Sequence, residues 1–526
     1  MSLARRAMVP ALVGLSALAG MLFLAHATRH GIEIAPDSVS YIEAARNLGA
    51  GHGVSTSSDD GAEYRPMTRF PPLYPVAIAT IARLGVDSID AARWLALALL
   101  GANVVLLSVL VASSAPGARW LPVVGAVLMT SSPDVARIHG TAQSEPLFLL
   151  LGFSGLLFLS LHLETQRGLM LLAGSLLIAL AFLTRYAGGA LVATGILAIL
   201  LAPGVRLRRK IIDAAAFASV ATLPIAIWAL RNQLHGASAT GRRFAVHPIG
   251  GDAITLAVRS IGQWFLVDDG GEVIAWLLGV GLILCVGHWL RSATARAAAA
   301  AMPRILVLFV FAYLIFLVVS ISFLDAQTPL NRRILSPVFV ATLVLGLCGV
   351  RATIRPGRGS VPAILAALLA LIFTFAYARD TSQWVRDRAA TGGVGFGSLA
   401  WRQSETMRRV MELPADARVY SNARDAIYIL TGRVTRWIPA WVDAETREPR
   451  PGYAPLLEEI RAALRGEDAS LVWFDLVFWR WYLPTRSELY QQLPIRRVSK
   501  LQDGEIWKYD PSRDAPNTPQ RTDTAR

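Results

Sequence analysis

The sequence predicts a polytopic α-helical membrane protein of about eleven spans (20-residue apolar windows), with a small α/β domain after the last of them. Three observations carry this prediction. The 526 residues are 54% hydrophobic and only 17% charged, with a mean hydropathy of +0.46, outside the range of ordinary soluble domains. Long apolar runs recur, divided by short arginine-bearing loops. After residue 378 the pattern changes to short β-like runs alternating with amphipathic helices.

The spans are drawn at 8–25, 93–113, 118–133, 144–163, 168–184, 187–203, 210–230, 271–290, 304–324, 334–350 and 360–378. The run at 118–133 is short for a crossing and is expected to be tilted or broken. The first run, behind Arg5 and Arg6, is longer than a signal-peptide core and is read as a retained helix. Both cysteines, Cys285 and Cys348, fall inside apolar runs, which argues against a disulfide or a cysteine-based zinc site. The formal net charge of +14 comes mostly from arginines scattered over short loops. That is the distribution of the positive-inside rule, not of a basic face for nucleic acid.

With the N-terminus cytoplasmic, alternate short loops collect Arg119; Arg167; Arg206, Arg208, Arg209 and Lys210; Arg291, Arg296 and Arg304; Arg351, Arg355 and Arg358. An odd number of spans then puts the first loop, 26–92, and everything after 378 on the outer side. Within the first loop, IEAARNLGAGHG reads as a short helix stopped by Gly49 and Gly51. FPPLYPVAIATIARLG reads as a proline-started interfacial helix, and 252–267 as another helical stretch in a later outer loop. The expected division is a transmembrane module at 1–378, an outer α/β domain at 379–510 and a disordered tail at 511–526. In that domain RVYSN, ASLVWFDLVF and GEIWKYD are strand-like, and DAIYILTG and YAPLLEEIRAALRG helix-like. Eight of the 14 tryptophans lie in this last part. Packing in the core or at an interface is the expected use, ahead of stacking on sugars.

The functional signal is an acid where membrane insertion needs none. Asp37 heads PDSVSYIEAARNL just beyond the first span. Ionisable residues at membrane level are functional candidates by default. On the same predicted face lie Glu145, at the head of SEPLFLLL, and arginines that an arginine-poor outer surface does not explain: Arg137, Arg185, and the pair Arg332 and Arg333, with Arg65 and Arg69 in the first loop. Simpler readings exist for each. Asp37 has the chemistry of a helix N-cap, Glu145 that of a first-turn acid before Pro146, and the arginines reach lipid headgroups. Taken together, a carboxylate beside arginines suits deprotonation of a hydroxyl while cations receive a departing phosphate. His52 and His139 lack the spacing of a built zinc site, and Asp134 is an alternative to Glu145.

The motifs PDSVSYIEAARNL, RFPPLYP, SEPLFLLL, LTRYAGG, RRILSPVF and SNARDAIYILTGR occur in the order found in a known family. Over roughly residues 8–440 the chain resembles the GT-C superfamily of polyprenyl-phosphate-dependent membrane glycosyltransferases. It is nearest to the group holding aminoarabinose lipid A transferases and protein O-mannosyltransferase-like enzymes. The resemblance implies that Asp37 is the catalytic base and that Glu145 is a second catalytic acid, positioning the acceptor or binding a metal. It further implies that Arg185, Arg332, Arg333, Arg69 and Arg65 serve the donor phosphate, and that Tyr41, Tyr64, Tyr74, His139 and Tyr186 line the substrate cavity. Many relatives carry lysine directly before the PPL sequence. Here Phe70 stands there, with Arg69 one residue earlier. A divalent metal (Mg, Mn or other) is the cofactor to look for, with no organic cofactor.

The expected activity is transfer of a sugar from a polyprenyl-phosphate-linked donor to a hydroxyl of a glycan, lipid or protein. It would run with inversion, at the outer face of a bacterial inner membrane, by a monomer. The rivals are an O-antigen ligase or polymerase, which rests on late-loop Arg and His instead of a first-loop acid, and a lipid or sugar transporter. No internal repeat supports the transporter.

Overall fold

The computed structural model describes residues 3–58, 63–242, 244–265, 300–326, 328–353, 361–444, 446–466 and 469–514. The expected span at 271–290 and most of the expected tail (from 515) lie outside them. The chain divides into two compact units, one of residues 1–56 and 66–395, the other of 57–65 and 396–526.

The first unit is helical: α1 (Leu3–Ala27), α2 (Pro36–Gly49), α3 (Leu73–Ala82), α4 (Ser88–Ser114), α5 (Leu121–Ser131), α6 (Pro133–Gly140), α7 (Glu145–Thr165), α8 (Gly168–Thr184), α9 (Gly188–Leu200), α10 (Leu207–Leu234), α11 (Gly251–Gln263), α12 (Ala301–Phe323), α13 (Ser336–Thr353) and α14 (Val361–Thr391). Among the described residues six helices, in α1, α4, α7, α10, α12 and α14, are long and apolar enough to cross a bilayer, with shorter apolar helices between them. The protein is a multi-pass membrane protein. The core is continuous through the bundle, where Phe153 meets Phe309 edge to face and Phe309 meets Tyr313 at a tilt of 44°. The helical hairpin of α7 and α8 closes on glycine. A Cβ at Gly155 would stand 3.1 Å from the carbonyl oxygen of Gly174, and one at Gly174 would stand 3.0 Å from that of Gly155. Small residues let helix backbones approach this closely.

Two sequence expectations are corrected here. The run at 118–133 is not one span. Ser132 accepts a hydrogen bond from the backbone N–H of Val135 (3.4 Å) and Pro133 opens a new helix, so the chain breaks into α5 and α6. The last helix does not end near 378 but runs to Thr391, which moves the boundary between units to 395/396. Its polar end is retained because Thr381 donates to the Ser131 carbonyl (2.6 Å) and Arg388 pairs with Glu33.

The second unit is built on a mixed five-stranded sheet. Its strands are β3 (Val419–Ser421), β4 (Arg436–Trp437), β5 (Ser470–Phe474), β6 (Ile495–Leu501) and β7 (Gly504–Tyr509), in the order β4-β3-β5-β7-β6; β1 (Ser55–Ser57) and β2 (Tyr64–Pro66) form a separate ribbon. β3 is parallel to β4 and β5, while β7 is antiparallel to β5 and β6. The amphipathic helix Tyr453–Gly466 lays Leu457, Ile460, Ala463 and Leu464 on a core shared with Tyr420, Leu471 and Trp507. The expected strand ASLVWFDLVF ends at Phe474, and residues beyond it form a loop.

Candidate active site

At one end of the bundle the segments after α1, before α7, after α8 and before α13 meet around charged side chains. α2 starts with Pro36 at its first position, and Ser38 Oγ accepts from the N–H of Ala35 (3.0 Å). The N-cap position falls on Ala35 and Asp37 lies one residue inside the first turn, so Asp37 is not the cap of α2. Its Oδ2 instead accepts from Arg333 Nη1 at 3.2 Å. Glu145 opens α7, ahead of Pro146, and its Oε1 lies 2.7 Å from Arg185 Nη1 and 3.5 Å from Arg333 Nε. Arg185, the residue closing α8, points into the protein, where Nη1 also donates to Ser144 Oγ (3.0 Å). Arg333 thus bridges two carboxylates that are 108 residues apart in sequence (145 − 37). Burial works against its charge, but Glu145 and then Asp37 outweigh burial and hold the guanidinium above its ordinary pKa.

The neighbouring Arg332 turns to another acid. Its Nη1 lies 3.2 Å from Asp134 Oδ1, and Arg137 Nη1 approaches the same oxygen at 3.2 Å. Burial pushes the Asp134 carboxyl above its ordinary value, opposed by Arg332 and Arg137. A cavity of about 390 Å³ opens between these groups, lined by Glu33, Asp134, Arg137, Gln143, Arg332 and Arg333 among others. Glu33 closes one wall. It pairs with Arg388 and accepts from Thr141 Oγ1 (3.1 Å) and the Val394 N–H (3.4 Å). Gly395, at φ +77°, runs so close to this strand-like stretch that a Cβ would stand 2.2 Å from the Ile34 carbonyl oxygen.

The remaining sequence candidates separate. Tyr41 and Tyr74 are buried, with ring centroids 5.2 Å apart, and Tyr41 OH lies 3.4 Å from Ser144 Oγ. Burial, then the charge of Asp37, holds the Tyr41 phenol above its ordinary pKa, so it meets Ser144 as a neutral hydroxyl. Phe70 stacks edge-on against Tyr41 at 4.9 Å, so the position where many relatives carry lysine is used for packing. Arg69 is exposed in the loop before α3, and Tyr186 donates to the Thr68 carbonyl (3.2 Å). Tyr64 and Arg65 are exposed in the second unit. His139 does not line the cavity. It is fully buried, with Nδ1 2.8 Å from the Val135 carbonyl and Nε2 3.1 Å from Asn103 Nδ2.

Among the described residues no three of His, Cys, Asp and Glu gather as a metal-binding set. Glu145 faces two guanidiniums, which supply the positive charge a cation would bring. The sequence reading missed Glu33 and Arg388, which sit in unremarkable contexts just past the first and near the end of the last long helix.

The fold of this chain, a multi-span helical bundle and a mixed sheet, is similar to that of solved structures that include ArnT and an arabinofuranosyltransferase. The crystal structure of ArnT from Cupriavidus metallidurans bound to undecaprenyl phosphate superposes with a TM-score of 0.57 at 14% identity, over 97% of this chain and 99% of that one. Its apo structure gives the same TM-score at 13% identity, over 98% and 100%. The arabinofuranosyltransferase AftD from Mycobacteria superposes at 0.56 with 15% identity, over 97% of this chain and 42% of that chain. No protein-family model and no curated protein matches the sequence.

Proposed function

We propose that the protein is a glycosyltransferase that moves one sugar from a polyprenyl-phosphate-linked donor to an acceptor hydroxyl, at the outer face of the bacterial inner membrane. The observation that carries this reading is the bridge of Arg333 between Asp37 and Glu145, backed by Arg185, at the end of a GT-C-type bundle. The fold's likeness to a structure holding undecaprenyl phosphate supports the donor class.

In this reading Asp37 takes the acceptor proton as the hydroxyl oxygen attacks the anomeric carbon. The bond from that carbon to the phosphate oxygen breaks, and its electron pair leaves with the phosphate. A single displacement of this kind inverts the anomeric centre. Arg333 is shared between two carboxylates before reaction and meets the new phosphate charge without moving far, which is the preorganisation such chemistry needs. Arg332 stands beside it, facing the cavity. Glu145, itself held by Arg185, keeps Arg333 in place, and Ser144 and Tyr41 beside them orient the acceptor.

The test is transfer of label from a radiolabelled polyprenyl-phosphate sugar to a membrane acceptor fraction by the purified protein in nanodiscs. Transfer is expected, with retained fold and lost transfer for Asp37→Asn. Near wild-type transfer by that variant rejects the mechanism and favours the ligase reading. Movement of the donor across the bilayer without transfer favours a transporter.

A further inference from the structure

The middle of α4 holds a polar side chain that the reaction described above does not use. Asn103 is the only polar residue between Trp94 and Ser108, in a helix long and apolar enough to cross the bilayer, and it is 2% exposed. A buried amide in such a helix is costly, so its partners matter. Its Nδ2 lies 3.1 Å from His139 Nε2 and donates to the Pro146 carbonyl at 3.0 Å. The surroundings fix the hydrogens. His139 Nδ1 is 2.8 Å from the Val135 carbonyl, which only accepts, so Nδ1 carries the ring hydrogen and Nε2 is bare. Nε2 and the Pro146 carbonyl are then both acceptors, and an amide nitrogen with its two hydrogens serves both.

The two acceptors belong to the two helices that carry the buried acids of the site. His139 lies on α6 with Asp134 and Arg137, and Pro146 follows Glu145 at the start of α7. The turn between these helices is held separately by Glu33, whose N–H donates to the Gly140 carbonyl (3.0 Å) and whose carbonyl accepts from the Ala142 N–H (2.9 Å). Asn103 removes the freedom that remains, that of the first turn of α7 to slide against α6. Packing alone does not call for these bonds, because an apolar pair of the same shape would hold the three helices together about as well.

We propose that Asn103 is a positioning residue for sugar transfer: through His139 and Pro146 it fixes Glu145, and with it Arg333, against the cavity wall formed by Asp134 and Arg332. It touches no reacting group, and its role rests on the transfer reading. Glu145 Oε1 lies 2.7 Å from Arg185 Nη1 but 3.5 Å from Arg333 Nε, so the contact to Arg333 is the first lost when α7 shifts. Cutting the link therefore acts on turnover. Asp134 keeps Arg137 from its own helix and Arg332 from the turn before α13, so the wall that meets the lipid phosphate stays assembled.

The experiment compares the full wild-type chain in nanodiscs with Asn103→Asp, Asn103→Leu, and Asn103→Leu combined with His139→Phe. Asn103→Asp keeps the shape and removes both donors. The double variant makes donor and ring acceptor apolar together, so its thermal midpoint is expected to recover toward wild type. With a radiolabelled polyprenyl-phosphate sugar, assayed well below every midpoint, kcat is expected to fall about 10–100-fold in all three variants, with donor KM and the affinity for undecaprenyl phosphate kept within about threefold. A kcat that recovers with the midpoint in the double variant overturns the proposal, because Asn103 then serves stability alone. So does a raised donor KM with kcat intact. Ring-nitrogen NMR of histidine-labelled protein, with His139→Gln to identify the signals, tests the link without turnover. A bare Nε2 on His139 is expected in the wild type, and a hydrogen there overturns the link. Absence of transfer by the wild type would reject the proposed reaction, and the ring spectra would still decide the link.

Discussion

Arg332 and Arg333 are adjacent in sequence yet serve two different acid clusters, and the contrast separates what is reactive from what is scaffold. Around Arg333 the carboxylates come from distant segments and share that one arginine, and Asp37 remains 39% exposed on its side chain. Around Arg332 a single carboxylate, Asp134, is 7% exposed and holds two guanidiniums on one oxygen. The first arrangement leaves an acid able to take a proton from an incoming group. The second spends its acid in holding two cations at a cavity wall.

The sharpest way to break this contrast is to neutralise both acids. Asp37→Asn is expected to lower kcat about 10²–10⁴-fold, the usual range for removing a general base. Asp134→Asn should mainly raise the donor KM, about tenfold. Equal losses in kcat would erase the distinction between the clusters. Next in size, Glu145→Gln leaves Arg185 with a neutral partner in a buried place and Arg333 with Asp37 alone. A loss of about 3–5 kcal/mol in stability is expected, read as a lower thermal midpoint in detergent. An unchanged midpoint would mean that Arg185 finds another carboxylate. Arg332→Gln should weaken donor binding about tenfold, with a milder salt dependence and little change in kcat. A kcat loss as large as that of Arg333→Gln would make the two arginines equivalent.

The smallest expected effect concerns the helix that carries Asp134. His139 is buried and neutral there, its pKa lowered from 6.5 to about 4 by burial. The folded state therefore refuses a proton that the unfolded chain accepts. The stability of the neutral ring is fully present above about pH 6.5 and is lost as pH falls toward 4, amounting to about 3 kcal/mol at most. His139→Gln should flatten the thermal midpoint over that interval, and an unchanged slope would assign it to the carboxylates.

Much of this was legible in the chain. Asp37 and Arg333 stood out because charged residues at membrane level are costly and few. The apolar helices followed from composition, and β3, β5 and β7 from local pattern. Other features were hidden by context. Ser132-Pro133-Asp134 is a helix-start signature, but it sat at the end of an apolar run that read as one span. Glu33 and Arg388 meet only because the last helix continues 13 residues beyond the expected 378. β6 (Ile495–Leu501) carries arginines and lysine on its exposed face and lacks the apolar run that marks a strand. Phe70 looked like a missing cation, and only tertiary packing shows it as a wall for Tyr41.

The glycine contact between α7 and α8 reaches further than its own helices. Gly155 and Gly174 lie face to face, and ten residues along each helix from that contact (155 − 145 and 184 − 174) stand Glu145 and Thr184, the residue before Arg185. At 1.5 Å per residue that is about 15 Å of rigid rod on each side. The spacing of the Glu145–Arg185 pair is thus inherited from a crossing deep in the bundle. A methyl group added at Gly155 would push on a fulcrum and be felt at the far end of the lever, as a charge pair pulled out of register.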